Sequence, residues 1–374
     1  MGEYTVEKEG ILVLKQMDTL KVNLIANNVA EKICNSFPEC NLSREDIFAS
    51  LSRLNMYIAQ MPEDSSNAKF CYKNNSIYFR EGLDYTKVTD LMIHECIHFI
   101  QKCENEQGEI VALGLYKLSG SGMGLNEAAV QLMASYANKN ESEIVKYFDM
   151  TIPTLSPNYY TLGCSLLNQI IYFTGTYPLF SSTLTGNDTF KEAIISRSNK
   201  KTYYAIEKNL DRLLNLENNL FFLNQKLANS SYKWQYDNIT VSIRKIKASI
   251  RNVFLDTQST IIENMVTYDF NNIYTVEEAK LLRTKLYNFK NLICYIDDYD
   301  FYNKFYVDTL SAIDSIENLI LAGNHLEDYQ KSNVSLVVID NSLGFIKFIK
   351  TMHSKLKKVF GLNKEGVTEN QGQY

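Results

Sequence analysis

From Asn187 to Ala322 the chain contains neither glycine nor proline. In a helix interior these two residues cost about 1 and about 3 kcal/mol relative to alanine, and they mark turns elsewhere. So long a run without either confines that part of the chain to long helices. Its apolar residues agree. Ile239, Ile243, Ile246, Ile250, Val253, Thr257 and Ile261 alternate spacings of four and three, the seam of a helix laid along a partner. Similar stripes run through 203–227, 277–297 and 300–321, so a bundle of long antiparallel helices is expected. The five prolines (Pro38, Pro62, Pro153, Pro157 and Pro178) all precede this run. A boundary is therefore expected near residue 190, dividing a mixed domain, 1–190, from a helical domain, 191–374. Within the latter, 335–340 (SLVVID) reads as one strand, and the polar tail beyond Leu362 as disordered. A chain of 374 residues that is 45% hydrophobic can fill cores of this number and size.

The first half alternates element types. Ile25, Val29, Ile33 and Phe37 fall on one face of a helix, and Ser43, with Asp46 three residues on, opens another. Residues 55–61 (NMYIAQM) read as a buried strand. In 69–79 (KFCYKNNSIYF), Asn74-Asn75 divides two strands of a hairpin. Asp84 is a candidate cap for the next helix, which contains 91–101, LMIHECIHFIQ. Residues 119–124 (SGSGMG) lack the Gly-Lys-Ser/Thr of a phosphate loop and read as a flexible connection into a helix over 125–139. A further helix is expected after Ser156-Pro157.

The stretch 91–101 holds His94-Glu95-x-x-His98. The whole chain has four histidines, so two of them in this pattern are informative. Residues four apart share a helix face, and both imidazoles can reach one ion. Glu95, one step round, can reach a water on that ion and take its proton as the water attacks a carbonyl. Zinc suits the arrangement, with three protein ligands and a fourth position for water. Cys96 lies on another side of the helix and reads as a core thiol. No third histidine is near, but Glu127 follows His98 by 29 residues, on a helix whose Leu125, Ala128, Leu132 and Met133 turn it toward a neighbour.

His94-Glu95-x-x-His98 followed by Asn126-Glu127-Ala128 resembles the gluzincins, the thermolysin-like zinc metallopeptidases, over roughly residues 55–180. The resemblance implies an α+β zincin-like catalytic domain with a small mixed sheet. In it, His94, His98 and Glu127 hold zinc and Glu95 is general base and acid. It also implies that an edge strand before the active-site helix, here 74–81, pairs with substrate. Two features depart from the family. Gln131 stands where an Asp orients a histidine, and an amide contributes less negative charge there. No histidine corresponds to the family's downstream catalytic one, since His325 and His353 lie in the helical half. Tyr159 or Tyr160 can supply a phenol to the developing oxyanion instead.

The expected function is zinc-dependent hydrolysis of a peptide or protein substrate. One alternative is a narrow regulatory peptidase that cleaves a repressor-like protein. Another is a non-catalytic zincin-fold scaffold with a helical interaction module, against which the retained Glu95 argues. A net charge of −5 lacks the basic excess of a nucleic-acid binder. The N-terminus shows no secretory signal and the seven cysteines form no Cys-x-x-Cys pair, so a cytoplasmic, reduced protein is expected. Residues 344–361 form a basic amphipathic segment that reads as a last bundle helix, with membrane contact as the alternative.

Overall fold

The computed structural model describes residues 6–62, 66–104, 107, 110–118, 120–230, 232–295 and 301–321. His325, His353, the expected strand 335–340, the basic segment 344–361 and the polar tail lie outside them. The chain is α+β, with a small mixed sheet and many helices.

After β1 (Leu12–Gln16) comes α1 (Thr19–Ser36), capped by Asp18, whose carboxylate accepts from the Lys21 N–H. Ile25, Val29, Ile33 and Phe37 are all buried, as their spacing predicts. Ser43 caps α2 (Arg44–Leu51) through the Asp46 N–H. β2 (Asn55–Gln60), β3 (Ala68–Cys71) and β4 (Ser76–Arg80) join β1 in one sheet of order β1-β2-β4-β3. β3 and β4 form the expected hairpin, with Asn75 at φ 57°. β4 then pairs parallel with β2, and this corrects one expectation. Strand 76–80 has a neighbour on each side, and the edge strands are β1 and β3.

α3 (Asp90–Ile100) carries the His-Glu-x-x-His stretch. Thr89 is its cap, accepting from the Met92 N–H, while Asp84 is occupied by Thr86. Asp84 is five residues too early to cap the first turn. Short strands β5 (Lys102–Glu104), β6 (Ile110–Leu113) and β7 (Tyr116–Lys117) lead to α4 (Met123–Ala137). α4 is buried on nearly every side, as befits a central helix. It packs on α3, on α5 (Thr161–Thr174), and on α8 (Lys200–Ala228), with α1 and α6 (Tyr177–Thr185) also against it. Before α5, β8 (Glu143–Tyr147) and β9 (Met150–Thr154) form a hairpin closed by Phe148 and Asp149, both at positive φ. α7 (Thr189–Arg197), α9 (Lys233–Asn271), α10 (Val276–Phe289) and α11 (Phe301–Leu321) complete the helices. Every described helix or strand after Thr154 is helical, as the Gly/Pro-free run requires.

The compact units do not divide at residue 190. One comprises Met1–Gln258 with Leu292–Ile296, the other Ser259–Asn291 with Asp297–Tyr374. The physical reason lies at α4. Gly124 sits so close to α8 that a Cβ there would meet the Leu210 carbonyl oxygen at 2.3 Å. The Asp211 carboxylate accepts from the N–H groups of Gly122 (2.9 Å) and Gly124 (2.7 Å). α8 is therefore part of the core that holds α4. In the second unit a capping box of Thr275 and Glu278 opens α10. Arg283 bridges to Asp314 and Glu317, and the Tyr302 hydroxyl donates to the Leu286 carbonyl.

Candidate metal centre

α3 and α4 lie side by side and bring three side chains to one point. The Nε2 atoms of His94 and His98 are 2.9 Å apart, and each is 3.4 Å from Oε2 of Glu127. All three side chains are largely buried, at 4%, 12% and 16% exposure. The group can hold a metal ion. A point equidistant from the three atoms lies about 1.9 Å from each, just inside the roughly 2.0–2.2 Å of Zn–N and Zn–O bonds. Two edges of the triangle also match the ~3.3 Å ligand–ligand spacing of a tetrahedral site with such bonds. The donor set of two imidazoles and one carboxylate thus fits a divalent ion without rearrangement.

Burial alone would raise the Glu127 carboxyl, but the His98 and His94 imidazoles outweigh it and hold the group well below its usual range. For His98 burial opposes the charged form, yet Glu127 and Glu95 beside it raise its pKa. Behind the ring, His98 Nδ1 lies 2.9 Å from the Gln101 amide. The atom that faces Nδ1 is the amide nitrogen, while Gln101 Oε1 is buried without a partner. Only with the amide turned over would its oxygen accept the Nδ1 proton and leave Nε2 of the ring free to bind. Gln101 is wholly buried. Its place three residues after His98, on the same helix face, was a signal in the sequence that motif reading passed over.

Glu95 points to the sheet. Its Oε2 accepts the Phe70 backbone N–H at 2.6 Å, from the open edge of β3. Burial raises its carboxyl, with the two imidazoles and the Phe70 N–H opposing. A backbone donor on a neighbouring strand leaves no residue-type signature, so this partner could not be read from the sequence.

Of the two tyrosines, only Tyr160 enters the site. It begins α5 in the left-handed region (φ 49°), and its ring stacks on His94 at 5.6 Å and 3°. Burial and then the charge of the Glu127 carboxylate push the phenol well above its usual range. Tyr159 faces elsewhere: burial, then the charge of Asp90, raises its phenol, with Arg80 opposing. The left-handed turn at Tyr160 separates the two neighbours, which corrects the pairing of both with the site. Gln131 does not reach an imidazole either. Its amide donates to Asp90 (3.2 Å) and Ser135 (3.4 Å), while its own Oε1 and Nδ1 of His94 are buried without partners. Cys96 is a buried thiol, as expected.

Glu127 is held from outside its own helix. Gly122 occupies the cap position of α4 in the left-handed region (φ 84°), where a Cβ would meet the Leu115 carbonyl oxygen at 2.6 Å. A glycine cap brings no side-chain acceptor, so Asp211 of α8 supplies one. Within the stretch 119–124, expected to be a flexible connection, Gly122 and Gly124 are instead where backbones meet. Asn126, beside Glu127, accepts the Leu115 N–H and fixes the same loop from inside.

Compared with protein-family models, with curated proteins and with solved structures, the chain finds no match.

Proposed function

We propose that the chain is a zinc-dependent peptidase of the gluzincin type, with a zincin-like arrangement around α3, α4 and β3. The carrying observation is the triangle of His94, His98 and Glu127 ligand atoms with Glu95 on the same turn of α3. Two imidazoles and a carboxylate suit zinc and leave a fourth position for a reactant. When bound, zinc would lower the pKa of water and polarise a peptide carbonyl.

The chain's own residues supply the rest. Glu95 accepts the proton of the attacking water and returns it to the leaving amine. With its amide turned over, Gln101 would hold His98 in the tautomer that presents Nε2. Tyr160, its ring stacked on His94, can donate its hydroxyl proton to a developing oxyanion. The open edge of β3, one strand from Glu95, offers main-chain groups to an extended peptide.

The test is cleavage of an unbiased peptide library by wild type, Glu95→Gln and Glu127→Gln, with and without chelator. Wild type should cleave, lose activity to the chelator and regain it with zinc. Glu95→Gln should keep its zinc while turnover falls roughly 10²–10⁴-fold. Glu127→Gln should lose metal affinity itself. Full activity in Glu95→Gln, or no cleavage by the zinc-loaded wild type, overturns the proposal.

A further inference from the structure

Where α8 passes into α9, the helices leave the core. Leu220 and Ile243 are the last buried residues on each side, and no described residue from Phe221 to Ser242 is buried. This tip carries the chain's one tryptophan, Trp234, at 64% exposure. With it stand Phe221, Phe222, Tyr232 and Tyr236, all exposed. Phe222 and Lys226 on α8 face Trp234 and Ile239 on α9 across a cleft of ≈ 540 Å³. Exposed aromatics on this scale mark a contact surface.

The charge says what the contact is. From Asn218 to Arg251 the basic residues are Lys226, Lys233, Arg244, Lys245, Lys247 and Arg251, and the one acid is Asp237. The tip itself has Lys226 and Lys233 against Asp237, a net +1. The exposed Arg244, Lys245 and Lys247 continue the basic side along α9, while Arg251 pairs with Asp149. Exposed Trp, Tyr and Phe interleaved with Lys is the composition that settles at the boundary between headgroups and acyl chains. The reach also fits. Eight to ten residues beyond the last buried position extend each helix by about 12–15 Å, more than the ~8–10 Å over which salt screens charge. The aromatic tip can thus meet a surface ahead of the packed helices, with the basic residues of α9 following it. Contact stays at the surface, because no described helix is long and apolar enough to cross a membrane.

We propose that the α8–α9 tip is an interfacial anchor, which seats Phe221, Phe222, Tyr232 and Trp234 among the headgroups of an anionic lipid surface. The anchor is independent of the metal centre, whose residues all lie outside the tip.

Trp234 reports its own environment, so one titration reads the site directly. The full chain is mixed with vesicles of phosphatidylcholine containing 30% phosphatidylglycerol, and with pure phosphatidylcholine. Co-sedimentation and a blue shift of Trp234 emission are expected with the anionic vesicles, weakening as salt rises. Lys226→Gln with Lys233→Gln should weaken binding roughly 20-fold, at about 5-fold per lysine. Phe221→Ser with Phe222→Ser should reduce both binding and blue shift. Unchanged zinc content and helical spectrum show that these exposed substitutions leave the fold intact. Three results overturn the proposal: no sedimentation with either vesicle, sedimentation without a change in Trp234 emission, or binding unaffected by both double substitutions. A concentration-dependent dimer that buries Trp234, or quenching of Trp234 by a single-stranded oligonucleotide in place of vesicle binding, reassigns the surface and overturns it as well.

Discussion

Asp211→Ala tests whether a residue on α8 governs a ligand on α4. The substitution removes the acceptors of two backbone donors, Gly122 N–H at 2.9 Å and Gly124 N–H at 2.7 Å. Hydrogen bonds to a charged group contribute about 1.5–3 kcal/mol each, and loss of a cap costs about 0.5–2 kcal/mol. Gly122 and Gly124 are buried and Asp211 partly so, but the two donors share one carboxylate and their costs do not simply add, so the lower ends apply. The expected loss is about 2–4 kcal/mol, a fall in Tm of roughly 4–12 °C for a unit of this size. Asp211→Asn keeps one oxygen acceptor and should lose about half as much. The second readout is metal affinity. Glu127 lies one turn beyond the cap, so fraying of that turn displaces a ligand carboxylate. Zinc affinity should weaken by about 10–100-fold, the scale seen when an outer partner of a ligand is lost. Urea unfolding of the apo chain and competition against a zinc chelator measure the two effects separately. A stability change within ~0.5 kcal/mol, the range of an ordinary surface substitution, refutes the capping argument. Normal zinc affinity in a clearly destabilised Asp211→Ala refutes the link from cap to ligand.

Elemental analysis should find about one zinc per chain in wild type and far less in His98→Ala; equal zinc in both removes His98 from the ligand set. In the second unit, burial raises the Glu263 carboxyl from 4.5 to about 8. The folded chain therefore keeps a proton that the unfolded chain releases, and stability should fall as pH rises from about 4.5 through about 8. Glu263→Gln should flatten that fall, and thermal melts at about pH 5 and about pH 9 that keep the wild-type difference would refute it.

Local features were legible in the sequence, and those set by distant partners were not. His94, Glu95 and His98 declare themselves because spacing along one helix fixes their relation whatever lies around. The β3–β4 hairpin was equally local, and the apolar stripe of α1 buries as its period demands. The helical run after Asn187 was legible in type but not in allegiance. Periodicity shows which face is apolar, not which helix it meets, so α8 was separated from a core it completes. Gly124 looked like slack chain because the backbone that requires it lies 86–87 residues on, at Leu210 and Asp211. The β8–β9 turn gave no signal, since Phe148 and Asp149 adopt positive φ without glycine. The sheet edge was misplaced because the parallel pairing of β2 with β4 leaves no local mark. Tyr159 and Tyr160 are equivalent in sequence, and only backbone direction sends one of them to the metal centre.

If the chain is the peptidase proposed above, the hydrogen bond from Phe70 to Glu95 makes recognition and proton transfer draw on one hydrogen atom. A peptide laid along the open edge of β3 brings its own carbonyl toward Phe70 N–H, which is already committed to the Glu95 carboxylate. Seating the peptide and untethering the base are then a single exchange. A ligand with no carbonyl at that position leaves Glu95 tied to the strand, however well its side chains fit. Selection at this step reads the main chain and is blind to residue type, so any preference for particular side chains must arise elsewhere along the groove.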